Sequence, residues 1–265
     1  MLDRNVWGRR MNFVIQEIEK QECIDFVHKN HYSKVMPRLT KHYLGSYIND
    51  KLVAVMTLGW GTQPKGTINK LFNGLDSSHY YEIGKMCLLD ELPRNTETQF
   101  IAEVIKWIKI NLPEKLFLYT LADGIMGKAG YVYQAANFLY GGNFKTLVYR
   151  TKYGEKVHPR TASDLCKENA EFLGKEKVFW LTPEFLEYKE LEKIQGLMFR
   201  YIYPLNKKAK KLLKSSSVEW TLEHPKDKDL IFKKQIARGK YVEVPQPEFN
   251  KFNYQYNKQK EIYVN

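Results

Sequence analysis

Four groups of residues in this 265-residue chain have side chains and spacing suited to chemistry. Asp123 follows the apolar run 116–122, so it would leave a buried strand with its carboxylate at the strand's end. There it can take a proton from an amine or cap the turn that follows. His31, in His31-Tyr32-Ser33, is a candidate base or metal ligand. With no His or carboxylate partner at ligand spacing, it reads more readily as a hydrogen-bonded structural residue. Arg94, Asn95, Thr96 and Thr98 stand where a helix begins, and unpaired amides at the positive end of a helix dipole attract phosphate. Lys207, Lys208, Lys210, Lys211 and Lys214 concentrate cations without an intervening acid, as phosphate-binding surfaces and solvated helix faces both do.

These groups depend on the elements that carry them. Phe13, Ile15 and Glu17 alternate like a strand over 12–21, and Cys23, Ile24, Phe26 and Val27 follow at helical spacing. Two β-rich runs, 42–50 and 51–61, meet at Asn49-Asp50-Lys51 and predict a hairpin. The stretch between 62 and 79 is polar and rich in Gly and Asn, and 80–89 reads as a strand. Thr96 and Gln99 have capping-box spacing ahead of Phe100, Ile101, Val104, Ile105 and Ile108, which predicts a helix over 96–111. Residues 116–123 read as a strand buried on both faces, 131–140 as a helix ended by Gly141-Gly142, and 144–153 as a strand. The order predicts an α/β or α+β fold, a mixed sheet covered by helices. Beyond 154 the pattern weakens into mixed helix and irregular chain, so 1–205 is expected to form the main domain and 206–265 a basic, Lys-, Asn- and Tyr-rich extension packed on it.

Composition narrows the classes. With 43% hydrophobic and 14% aromatic residues, the chain can bury a core and is not a disordered tail. It has no apolar run of membrane-spanning length and no signal-like start, so a soluble, cytoplasmic protein is expected. Cys23, Cys87 and Cys166 are scattered and odd in number, which argues against a disulfide framework or a thiolate zinc site. Lys and Arg number 42 against 30 Asp and Glu, a net charge of +12 that favours polyanionic partners, DNA among them.

Strand, helix, buried strand, then a helix bearing a tyrosine is an order that resembles the GCN5-related N-acetyltransferases (GNATs). Tyr133-Gln-Ala-Ala-Asn137-Phe138 is similar to their Tyr-x-x-x-Gly-Phe helix, with Asn in place of Gly. The usual pyrophosphate loop, Gln/Arg-x-x-Gly-x-Gly/Ala, is replaced here by 92–98, Leu-Pro-Arg-Asn-Thr-Glu-Thr. Closer still is a resemblance to the phage Mom family, a divergent GNAT branch that modifies DNA bases. It rests on the runs 30–37, 81–86, 92–95, 122–123, 127–138 and 154–160, with a further echo at 196–204.

That resemblance implies transfer of an acetamide-derived group to the exocyclic amine of adenine in phage DNA, shielding it from restriction, with acetyl-CoA as cofactor. Tyr133 would protonate the departing thiolate, as a phenol that stays neutral at pH 7 can. Without the family, Tyr133 reads as a core aromatic. His31, Tyr32 and Ser33 would line the active-site mouth, with Asp123 opposite Tyr133. Arg94, Asn95, Thr96, Thr98, Met86 and Leu88 would hold acetyl-CoA. Tyr32, Lys34, Arg38, Lys145, Lys207 and Lys208 would meet DNA, joined by Lys41, Lys65, Lys70 and Arg150 on phosphates and by Trp60 and Tyr131 in stacking on a flipped base. Iron is allowed by the resemblance, although no facial-triad spacing is present. Lys128 and Tyr131 replace a His and a small hydroxyl residue of the family. Two other readings fit the same residues: an acetyltransferase acting on a different amine, and a noncatalytic nucleic-acid-binding protein.

Overall fold

The computed structural model describes residues 11–31, 33, 35–61, 63–157, 162–237 and 239–250. The alternation over 12–21 yields only the two-residue β1 (Gln16–Glu17), because α1 (Lys20–Asn30) starts earlier than its apolar residues suggest and buries Cys23, Ile24, Phe26 and Val27. β2 (Thr40–Ile48) and β3 (Lys51–Gly59) form the expected hairpin. Its turn residues Asn49 and Asp50 take φ of 49° and 59°, the left-handed pair that matches strand twist and that Asn and Asp tolerate.

The polar stretch after β3 contains a helix, α2 (Pro64–Leu71), opened by Pro64 at its first turn. Only Ile68 and Leu71 of this helix are buried, too few apolar positions to register as a periodic signal. β4 (Tyr80–Leu88), α3 (Thr96–Asn111) and β5 (Phe117–Asp123) lie where their patterns place them. The expected helix over 131–140 is shorter: α4 is Tyr131–Ala135, and the chain is already extended in β6 (Leu139–Thr151) when it reaches Gly141-Gly142. Asn137, at φ 60°, stops the helix before the glycines do.

The weakly patterned region contains β7 (Lys156–Val157), α5 (Ala162–Phe172), α6 (Pro183–Tyr188), β8 (Leu191–Pro204), α7 (Lys207–Leu212), β9 (Lys233–Ala237) and β10 (Lys240–Glu243). β8 is a 14-residue strand that sequence reading missed, since Glu192, Lys193 and Arg200 interrupt its apolar alternation. The hydrogen-bonded order is β1-β2-β3-β4-β5-β8-β6-β7, with β9 on β8 and β10 on β9. β1 to β4 pair antiparallel and β4 with β5 parallel, which makes the sheet mixed and the fold class α/β.

By compactness the chain forms two units: 1–122 with 130–142 and 199–224, and 123–129 with 143–198 and 225–265. In the first, Ile68, Leu71, Phe72, Tyr80, Leu116, Phe117, Tyr119, Ile202 and Ala209 form one buried cluster. Phe72 stacks on Phe117 at 4.5 Å and on Trp220 at 6.3 Å. Burying rings of this size contributes roughly 1.5–3 kcal/mol each, the scale that anchors α2 and α7 to the sheet. In the second, Tyr149, Val157, Leu165, Leu181, Phe185, Leu186 and Leu191 form a separate cluster, and Ile125 packs with Val148 and Ile194 in another. Residues 206–224 belong to the first unit and 225–250 to the second. Among the described residues no helix is long and apolar enough to cross a membrane.

Candidate active site

Two features of β4 open the sheet of the first unit. In the β3–β4 ladder Thr57 pairs with Lys85 and Leu58 with Ile83, so Gly84 is an extra residue on β4, a bulge that bends the strand. A Cβ at Gly84 would lie 2.5 Å from Pro37 Cγ and 2.9 Å from Thr57 Oγ1; only glycine lets the segment before β2 lie on the bulge. On the other side, Tyr80, Tyr81 and Glu82 pair with Phe117, Leu118 and Tyr119, and no further pairs form between β4 and β5. The strands part just past Glu82, leaving a wedge whose β4 edge has backbone N–H and C=O groups without ladder partners.

Glu82 sits at the point where the strands diverge. Its carboxylate lies against Gly61, which has φ 66° and no room for a Cβ, and its charge acts on the phenols of Tyr80, Tyr119 and Tyr133. Burial raises Tyr80 and Tyr119 to about 12, and the negative Glu82 adds to the rise. Arg200 opposes it at Tyr119. Tyr133 is pushed upward as well, first by burial and further by Glu82, with the nearby Thr120 hydroxyl opposing. All three phenols therefore hold their protons at neutral pH.

The position of Tyr133 follows from how α4 ends. Phe138 N–H donates to the Tyr133 carbonyl at 3.0 Å and Asn137 N–H to the Gln134 carbonyl at 3.0 Å, the paired bonds of a Schellman cap. The Phe138 ring contacts Tyr133 at 5.6 Å, the apolar contact that accompanies such a cap. Asn137 occupies the left-handed position that glycine holds in the GNAT pattern, and asparagine is the side chain that best tolerates it, so this departure preserves the backbone. At the other end Gly130, at φ 91°, admits the ring of Tyr201, where a Cβ would lie 2.6 Å away. Tyr201 contacts the Tyr133 ring at 5.7 Å and accepts a hydrogen bond from Gln134 Nε2 at 3.1 Å.

Lys85, beside the bulge, donates to the Ser33 carbonyl at 2.9 Å and to Ser33 Oγ at 3.0 Å. His31 Nδ1 lies 2.9 Å from both the backbone N–H and the carbonyl oxygen of Ser33, so the imidazole is held against the Ser33 backbone. His31 and Ser33 are thus brought together and tied to β4. Tyr32 and Lys34 lie outside the described residues. Sequence reasoning passed over Glu82 and Lys85, although two charged residues inside the apolar strand 80–88 were a usable signal.

At the start of α3 the expected capping box is absent. Asn95, at φ 66°, is the N-cap and makes no side-chain cap bond. Buried Thr96 donates instead to the Pro93 carbonyl, and the Gln99 side chain accepts from Met11 N–H at 2.7 Å. No capping side chain takes the first-turn amides, and Arg94 and Asn95 are exposed beside them. Thr98, Met86 and Leu88 are half-buried.

Asp123 belongs to the second unit. Its Oδ1 accepts from Ile125 N–H at 3.1 Å, and its Oδ2 from the Lys156 ammonium. It caps the 3-10 turn Gly124–Met126 and forms an ion pair at the end of β5. Arg38, Lys41, Lys65, Lys70, Lys128, Tyr131, Lys145, Lys207 and Lys208 are exposed. Arg150 bonds to Glu192 at 2.8 Å, while Trp60 is half-buried with Lys41 5.0 Å from its ring. For iron, the described residues contain no group of three His, Cys, Asp or Glu able to hold an ion.

Comparisons with known proteins add to this geometry. A chain from Escherichia phage Mu, the methylcarbamoylase Mom, is 29% identical over 189 residues, covering 71% of this chain and 73% of that one. Among solved structures, an N-acetyltransferase from Staphylococcus aureus has a TM-score of 0.37 at 12% identity, covering 74% of this chain and 99% of that one. The aminoglycoside acetyltransferase AAC(6′)-Ib with coenzyme A has a TM-score of 0.38 at 10% identity, covering 50% and 87%. The model of the Mom protein family matches residues 12–222, which span the bulge, the wedge, the tyrosine helix and α7, and this chain belongs to that family.

Proposed function

We propose that the protein is a DNA-modifying acyltransferase that acts on the exocyclic amine of adenine. The observation that carries this reading is the wedge between β4 and β5, with a carboxylate at its apex and a neutral, half-buried phenol under that carboxylate's influence. The phage Mu relative, named a methylcarbamoylase, supports a carbonyl-transfer reaction.

The residues suit such a transfer. An exocyclic adenine amine is a weak nucleophile because its lone pair is delocalised into the ring, so a proton must leave nitrogen as the new C–N bond forms. Glu82 is our candidate acceptor of that proton. Tyr133 retains its own proton and can donate it to the leaving group as the acyl carbon–sulfur bond breaks. Asp123, whose oxygens already accept from Ile125 and Lys156, caps the turn after β5, the alternative to proton transfer that its position allows. His31 and Ser33, held by Lys85, form one side of the mouth.

Acetyl-CoA, when bound, supplies a thioester carbonyl activated for attack by the amine. Residues fitted to hold it are Arg94, the uncapped amides that follow Asn95, Thr98, and the unpaired edge of β4 at Met86 and Leu88; Thr96 contributes its amide, its hydroxyl being bonded to Pro93. The methylcarbamoyl group named for the relative contains a nitrogen that an acetyl group lacks, which makes that group the second reading for what is transferred. No step is assigned to iron. In the substrate complex Arg38 and Lys145 would meet phosphates.

Mass spectrometry of nucleosides from DNA of cells expressing the protein is the direct test. A new deoxyadenosine species is expected, carrying the mass of an acetyl or a methylcarbamoyl group. Unmodified deoxyadenosine from cells containing folded protein, with or without added acyl donor in lysate, overturns the reading.

A further inference from the structure

Most lysines for which the structure gives contacts are neutralised by an acid: Lys51, Lys106, Lys152, Lys156, Lys189 and Lys234 each pair with one. One region of the first unit departs from this. Residues 60–75 and 203–218 hold Lys65, Lys70, Lys207, Lys208, Lys210, Lys211 and Lys214 and not one Asp or Glu. All seven are exposed, and among the described residues none forms an ion pair.

Tertiary packing makes these two segments one surface. Ile68 and Leu71 of α2 and Ala209 of α7 belong to the same buried cluster, with Leu212 and Leu213 packed against it. The carbonyl end of α2 is tied to the chain after α7: Ser217 N–H donates to the Leu71 carbonyl at 2.8 Å, Ser216 Oγ to the same carbonyl at 3.0 Å, and Ser217 Oγ to the Lys70 carbonyl at 2.6 Å. Asn206 fixes the other end of α7 by accepting from Ala209 N–H at 2.9 Å. With the apolar residues of both helices turned inward, the lysines are left on the solvent side. Seven like charges held on one rigid face repel one another, and a polyanion laid across them relieves that repulsion.

We infer that α2 and α7 together form a docking face for the phosphate backbone of duplex DNA. The choice of duplex DNA rests on the proposed function; the face itself rests on charge and packing. Lysines reach single phosphates as point charges and carry no base code, so the contact is independent of sequence. Trp60, packed on the same cluster, links this face to the catalytic wedge, because the next residue, Gly61, lies against the Glu82 carboxylate.

The test uses full-length protein and two variants, one with Lys207, Lys208, Lys210, Lys211 and Lys214 changed to Gln, the other Lys65→Gln with Lys70→Gln. Fluorescence anisotropy with a labelled duplex at several salt concentrations gives the slope of log affinity against log salt. Each lysine that meets a phosphate should remove about 0.9 from that slope, and both variants should flatten it for every duplex sequence tried. Thermal melts establish that both variants are folded. An unchanged slope in the five-lysine variant overturns the inference, as does a change in only one of the two variants, or wild-type binding to phosphatidylserine vesicles as tight as to DNA. If the wild type binds through these lysines yet modifies no adenine, the face stands and the proposed function falls; if it modifies adenine while both variants keep the parental slope, the reverse holds.

Discussion

Replacing Glu82 by Gln tests the catalytic geometry most directly. The change is nearly isosteric, so the carboxamide still fits against Gly61, where the native carboxylate rests. What is lost is a proton acceptor and a negative charge. Removing a general base costs roughly 10²–10⁴ in rate, or about 2.7–5.4 kcal/mol at about 1.36 kcal/mol per tenfold. The charge has a second, independent signature: because Glu82 raises the phenols of Tyr80, Tyr119 and Tyr133, its removal should shift all three downward. Single-turnover modification of a duplex, followed by nucleoside mass spectrometry across a pH series, reads both effects. The rate should fall across the series, and the decline at alkaline pH should begin earlier because the phenols release their protons sooner. DNA affinity should be unchanged, since the substitution removes none of the phosphate-facing cations. A rate within a factor of a few of the parent, with an unaltered alkaline decline, would refute the assignment and make Glu82 a structural acid beside a tight glycine.

Tyr133→Phe should lower turnover by roughly 10² or more with the fold retained, because the ring contacts with Phe138 and Tyr201 survive while the donor hydroxyl is lost; near-parental single-turnover rates would return Tyr133 to a packing role. Stability should fall in alkali. Burial raises the thiols of Cys23 and Cys87 from 9.0 to about 12, so the unfolded chain releases these protons at lower pH than the folded one. Their contribution is complete below about pH 9 and is lost progressively as pH rises toward 12, by roughly 1 kcal/mol per pH unit for each thiol across that window. Urea melts of the protein and of a Cys23→Ala, Cys87→Ala double variant should show a steeper alkaline decline in the parent, and identical pH dependence would contradict this.

Much of the fold is written in local pattern. The span of α3, the Asn49-Asp50 hairpin and the buried strand β5 follow from periodicity and turn chemistry acting over a few residues, which needs no partner elsewhere in the chain. The Tyr133 helix was visible as a motif, and its Asn137 as a departure, yet the reason the departure is harmless appears only as a left-handed φ closing a Schellman cap. The same cap ends α4 well before the glycines, where composition alone placed the stop.

Composition and charge announced a basic protein, and the lysine run 207–214 was plain in the sequence. That α2 joins it is a tertiary fact: two short helices distant in the chain share one apolar base, and burial of Ile68, Leu71 and Ala209 directs their lysines outward together. The candidate site shows the same division. His31, Ser33, Asp123 and Tyr133 were legible as residue types, but which of them is free to move a proton depends on partners. Asp123 is engaged by Ile125 and Lys156, and Ser33 by Lys85. Glu82 gains its place from the divergence of β4 and β5, which arises where a bulge at Gly84 bends one strand away from its neighbour. Sequence determines which groups exist and which local elements carry them; hydrogen bonding and Coulomb interaction act through space, so the chemistry open to each group is decided only when distant segments pack together.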